Sequence, residues 1–107
     1  TAPDALPGYA ALLTPGTTFR NEIAARFALQ LPRYRPGRRL RELRCPVLLC
    51  LCSDDSVAPT TRTRRYAAGT GTRIREYPFG HFAIYTEPER GVVLHDQRAF
   101  LRREVPA

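Results

Sequence analysis

Pro46-Val47-Leu48-Leu49-Cys50-Leu51-Cys52 is an apolar run with no charged or amide residue in it. A strand with one wet face alternates. An unbroken run therefore predicts a strand covered on both faces, as in a parallel sheet flanked by helices. Arg73-Ile74-Arg75-Glu76-Tyr77 does alternate, and predicts a second strand with one polar side at a sheet edge. The stretch from Cys52 to Arg73 is about as long as a helical crossover between parallel strands requires. Helix signals lie within it: Pro59 near the start, Tyr66-Ala67-Ala68 near the end and Gly69 as a stop predict a helix over 60–69. Pro88 opens a last helix, with Val93, Leu94, Gln97, Phe100 and Leu101 as its inner stripe. Arg98, Arg102 and Arg103 face outward, and the last two suit the negative end of the helix. Residues 45–107 thus read β–α–β–α.

The first 44 residues read differently. Residues 1–18 hold Pro3, Pro7-Gly8 and Pro15-Gly16 and predict irregular chain with a short helical turn from Tyr9 to Leu13. Phe19, Ile23, Phe27 and Leu31 then recur every four residues and predict an amphipathic helix over 19–31. Thr18 is placed to cap it, Glu22 sits in its first turn, and Pro32 ends it. Residues 32–44 are a basic connector with Arg33, Arg35, Arg38, Arg39, Arg41 and Arg44, in which Leu40 and Leu43 allow one helical turn.

With 107 residues the chain holds one small domain at most. It has no Met and no secretory signal, and is expected to be a piece of a longer protein. Its longest apolar run is far below the roughly 18 residues of a membrane span, so no membrane partner is expected and the cytoplasm is the default location. All seventeen basic residues are Arg, and the net charge is +7. Cys45, Cys50 and Cys52 form no CxxC and have no histidine pair beside them, so neither a metal nor a cofactor is expected. On a strand Cys50 and Cys52 share a face, and they read as small buried hydrophobes in a reducing compartment.

The chemistry lies just past the two strands. Asp55 follows the first by three residues and His81, within Tyr77-Pro78-Phe79-Gly80-His81-Phe82, follows the second by four. Reactive groups of open parallel sheets gather outside the carboxyl ends of the strands. Neighbouring strands would bring the two side chains within hydrogen-bonding reach. A carboxylate on one imidazole nitrogen fixes the tautomer and leaves the other free to take a proton from a nucleophile. Asp54 is the alternative acid; spacing to Pro59 favours Asp55, which leaves Asp54 to receive hydrogen bonds from the turn. His95 falls on the outer side of the last helix, and Glu87 and Glu89 sit where a helix dipole favours anions. Tyr77, Phe79, Phe82 and Tyr85 are candidates for a pocket lining or for packing, with packing the commoner use.

These residues resemble the C-terminal part of an α/β-hydrolase. Pro46, the apolar residues Val47 to Leu51, Cys52, Asp55 and Pro59 match the penultimate strand and its acid. Gly80-His81 matches the loop after the last strand, and Phe100-Leu101 the closing helix. The match covers roughly the last sixty residues. It implies the last two strands of a parallel sheet with flanking helices. It also implies Asp55 and His81 as the acid and histidine of a Ser-His-Asp triad acting on a small-molecule ester, thioester or amide. Residues 1–44 would then be the remnant of a lid or cap. Cys52 stands where Gly is usual in that family. No Gly-x-Ser-x-Gly elbow precedes Asp55, and Ser53 and Ser56 lack its glycines, so the resemblance places nucleophile and oxyanion hole outside this chain.

Two other classes remain open at this level. One is a basic module for nucleic acid or another anion, resting on the connector arginines and Tyr34; solvated connectors are the commoner use of such runs. The other is a hydrolase-fold relative with an Asp nucleophile, such as a dehalogenase. The isolated chain is expected to be inactive. With a buried strand lacking a neighbour on one side, it is also expected to be poorly soluble, partly molten or self-associating.

Overall fold

The computed structural model describes residues 5–20 and 22–105. The chain is mixed α/β: helix α1 (Ala5–Leu12), helix α2 (Ala25–Gln30), a 3-10 turn (Pro36–Glu42), strand β1 (Leu48–Cys52), helix α3 (Thr61–Ala67), strand β2 (Arg73–Tyr77), a short 3-10 turn (Ala83–Tyr85) and helix α4 (Glu89–Glu104). β1 and β2 pair in parallel as a two-stranded sheet, from Leu48 opposite Arg73 to Cys52 opposite Tyr77. The apolar run folds as a strand, two residues shorter at its start, but only Leu51 and Cys52 are buried, so the cover expected on both faces is not realised along its length. α3 is the crossover. It ends at Ala67, and Gly69 and Gly71, with φ of 72° and 71°, turn the chain back into β2 in the left-handed region that glycine adopts without strain.

The core is small. Leu51, Cys52, Ala67, Tyr77, Phe82 and Val93 are its buried members. Tyr77 ends β2 and reaches α4, where its hydroxyl donates to Asp96 Oδ2 at 2.8 Å. Burial, then that hydrogen bond, hold the phenol far above its ordinary pKa of 10.0. At the opposite end of β2, Arg73 pairs with Glu104 at 2.7 Å, while the Arg73 and Arg103 guanidiniums each lie 5.9 Å from the Phe100 ring centre. Arg64 of α3 pairs with Glu76 of β2.

Several expectations are corrected. The helix over 19–31 contracts to Ala25–Gln30: Thr17, not Thr18, accepts the Phe19 N–H at 3.2 Å, and Ala24 is extended with ψ of 123°. Its stripe has no surface to cover it; Phe19, Ile23, Phe27 and Leu31 are 46–75% exposed. A short helix is stabilised chiefly by packing its apolar face, and this one has none. The α4 stripe is also only partly realised. Val93 is buried but Leu94 and Leu101 are exposed, because α4 meets one narrow sheet. In β2 the alternation does not translate into burial: Ile74 is exposed along with its arginine neighbours.

The segment before Phe19 is more ordered than its Pro and Gly content implied, although Pro3 lies outside the described residues. Pro7 falls in the first turn of α1, where no backbone donor is lost. Gly8 is required by packing, since a Cβ there would run into the Phe82 ring. Tyr9 meets the same ring edge-on at 5.0 Å between centres.

The described residues leave much apolar surface open. The accessible surface is 8857 Å², against about 6,000 Å² for a compact monomer of this mass. The radius of gyration is 16.1 Å, against about 13 Å. The outer edge of β1 carries no further strand among the described residues. The chain alone is accordingly expected to self-associate: sedimentation velocity should show mass above 12.1 kDa that grows with concentration, and a single monomeric boundary throughout would contradict this. Tyr77→Phe should lower stability by about 1.5 kcal/mol in urea denaturation, the usual worth of a hydrogen bond to a charged group.

Candidate active site

The site is made by the sheet continuing past its own strands. Beyond the last register pair, Ser53 N–H donates to Tyr77 O at 2.8 Å and Asp54 N–H donates to Phe79 O at 3.2 Å. Ser53 Oγ shares its one proton between Tyr77 O and Asp54 Oδ1, each at 3.2 Å. These bonds hold the two post-strand loops together until Asp55, where the chain turns away with Asp55 N–H donating to Cys52 O at 3.4 Å.

Asp55 divides its carboxylate oxygens between two tasks. Oδ1 accepts the N–H groups of Val57 at 2.9 Å and Ala58 at 2.6 Å, forming an Asx turn. Oδ2 faces His81 Nδ1 at 2.8 Å. The Asp55 side chain is 10% exposed and that of His81 27%. Burial pushes the Asp55 carboxyl up. The Ala58 N–H, the His81 hydrogen bond, the Val57 N–H and the His81 charge outweigh it, and the group lies below its ordinary value of 3.8. It is therefore ionised at neutral pH. An ionised carboxylate only accepts, so Nδ1 donates to Oδ2, and Nε2 is the ring nitrogen turned away from Asp55. The Phe82 ring stands edge-on to the imidazole, 4.8 Å between centres at 82°. Among the described residues Nε2 has no hydrogen-bond partner.

The other candidates fall elsewhere. Asp54 accepts Ser53 Oγ at 3.2 Å and is exposed; the turn bonds foreseen for it go to Asp55. His95 is exposed on α4. Glu87 accepts the Gly91 N–H at 3.1 Å, which serves the first turn of α4. Tyr77 and Phe82 are buried, Phe79 stacks on Tyr77 at 5.6 Å, and Tyr85 is half exposed. All three cysteines are free thiols, and Cys52 is the buried one. Burial, with the charges of Asp55, Cys50 and Asp54 behind it, raises the Cys52 thiol, the opposite of what a thiolate nucleophile needs. Among the described residues no cluster of three metal-ligating side chains occurs, and no helix is long and apolar enough to cross a membrane.

Two contributors escaped the sequence reading. The Val57 and Ala58 amides were signalled only by an Asp two and three residues ahead of them. The support of the histidine loop by α1 was signalled only by a glycine inside a helical stretch.

Fold and site together define a mixed α/β chain that holds an acid–histidine pair at the carboxyl edge of a two-stranded parallel sheet. A quorum-quenching protein, AidA of Acinetobacter baumannii (strain MDR-ZJ06), is 46% identical to this chain over 106 residues. The alignment covers 98% of this chain and 35% of the relative, so the chain spans about a third of the length of the curated relative it matches. No protein-family model and no solved structure matches the chain.

The depressed Asp55 carboxyl has a consequence for stability. A folded-state value below the unfolded one contributes stability above the unfolded value, and that contribution is lost as pH falls through the folded one. The wild type should therefore lose stability below about pH 4 more steeply than Asp55→Asn, which keeps the Oδ1 acceptor without the charge. Urea midpoints measured between neutral and acid pH check this; parallel pH profiles would remove the linkage.

Proposed function

We propose that this chain supplies the acid and the histidine of a Ser-His-Asp hydrolase of the α/β-hydrolase type, with the nucleophile provided by a segment outside these 107 residues. The observation that carries the reading is the 2.8 Å contact from the ionised Asp55 carboxylate to His81 Nδ1, with Nε2 left open. In this proposal residues 45–107 are the last two strands of the hydrolase sheet with their helices, and residues 1–44 are a lid or cap remnant. The open outer edge of β1 and the surface excess fit a sheet that continues with further strands.

The chemistry follows from the pair. His81 Nε2 takes the proton of the serine hydroxyl as its oxygen attacks the carbonyl of a small-molecule ester, thioester or amide. Asp55 stabilises the imidazolium that forms. His81 then gives the proton to the leaving alcohol, thiol or amine, and an acyl-enzyme remains. Water, deprotonated by His81, releases the carboxylate product. The similarity to a quorum-quenching protein supports a quorum signal as the substrate.

The 107-residue chain alone should not turn over p-nitrophenyl acetate above background. In a longer chain that carries the nucleophile, turnover should appear. There His81→Ala should lower kcat/KM by roughly 10³-fold or more, and Asp55→Asn by a comparable factor through loss of the correct tautomer. Full activity in His81→Ala sinks the assignment.

A further inference from the structure

A concave surface adjoins the Asp55 turn through Ala58 and Pro59. It runs between the 3-10 turn Pro36–Glu42 and α3, and encloses about 640 Å³, within the range of small-molecule sites. Arg35, Arg62 and Arg65 line it together with Tyr34, Tyr66 and Leu40, and among the described residues no acidic one does. The approach of its walls is built in at Gly37, where a Cβ would strike the Tyr66 ring.

The charge in the groove has no acidic counterpart among the described residues. Arg64, between Arg62 and Arg65 on α3, pairs with Glu76 outside the groove, and Arg73 and Arg90 pair with Glu104 and Glu87. Arg62 and Arg65 have no acid partner among the described residues. Arg35 uses only Nε, donating to Pro32 O at 3.1 Å. Guanidinium forks match a carboxylate two bonds at a time, and Tyr faces and apolar carbons favour a flat ring beside it.

We propose that this groove binds a small aryl carboxylate, with Arg62 and Arg65 on the carboxylate and Tyr34, Tyr66 and Leu40 around the ring. The site is distinct from the Asp55–His81 pair, although Ala58, whose N–H holds Asp55 Oδ1, is also part of its wall.

Isothermal titration at low salt with 2-naphthoate, the neutral isostere 2-naphthalenemethanol, and acetate tests the proposal on the whole chain. Naphthoate should bind saturably, the alcohol at least tenfold more weakly, and acetate not detectably. Arg62→Gln with Arg65→Gln, at two exposed positions, should weaken naphthoate at least tenfold with an unchanged circular-dichroism spectrum. Arg38→Gln with Arg39→Gln, outside the groove, should leave it unchanged. Asp55→Asn with His81→Ala should also bind normally, which separates this site from the proposed hydrolytic one. Absence of saturable binding, equal affinity for the alcohol, or equal weakening by both arginine pairs overturns the proposal. The last outcome would mean attraction to net charge alone.

Discussion

Parallel pairing of two five-residue strands is the constraint on which the Asp55–His81 contact depends. Neither Asp55 nor His81 is in the sheet. They meet because the strands end in register and because the backbone bonds at Ser53 and Asp54 carry that register past the strand ends. A shift of one residue would put Asp55 opposite a different backbone group and turn the side-chain faces over. The register is fixed by the burial of Leu51, Cys52 and Tyr77 at the carboxyl end, and by the Arg73–Glu104 pair at the other.

The distribution of bonds around Asp55 shows how a small site can be polarised without deep burial. Two amides and one imidazole converge on a carboxylate that keeps partial contact with water. Burial by itself would favour the neutral acid, and directed hydrogen bonds reverse that preference. The imidazole, oriented by its bond to Asp55, is also braced by the Phe82 ring and, through Phe82, by the α1 helix.

What was legible in the sequence divides along the same line. The apolar run at 46–52, the alternating pentapeptide at 73–77 and the Pro59 and Gly69 punctuation are local signals, and they place β1, α3 and β2 to within a few residues. The spacing of Asp55 and His81 from the strand ends is local too, so their proximity could be read from topology alone. The 19–31 helix failed because periodicity reports a face and not the presence of something to cover it; Ile23 is 75% exposed. The same holds for Leu94 and Leu101 on α4. Contacts between distant segments, such as Gly8 against Phe82, have no local signature beyond a glycine where a helix would prefer another residue.

That last contact joins residues far apart in the chain. The β1–α3–β2 unit and α4 are built from neighbours in the chain, whereas Tyr9 and Phe82 close a loop of about seventy residues whose ordering costs more entropy. The histidine loop is thus expected to be in place before its aromatic brace arrives, and the final setting of the imidazole is a late event. Residues near the start of the chain would act on the rate at which the site matures, although none of them belongs to it.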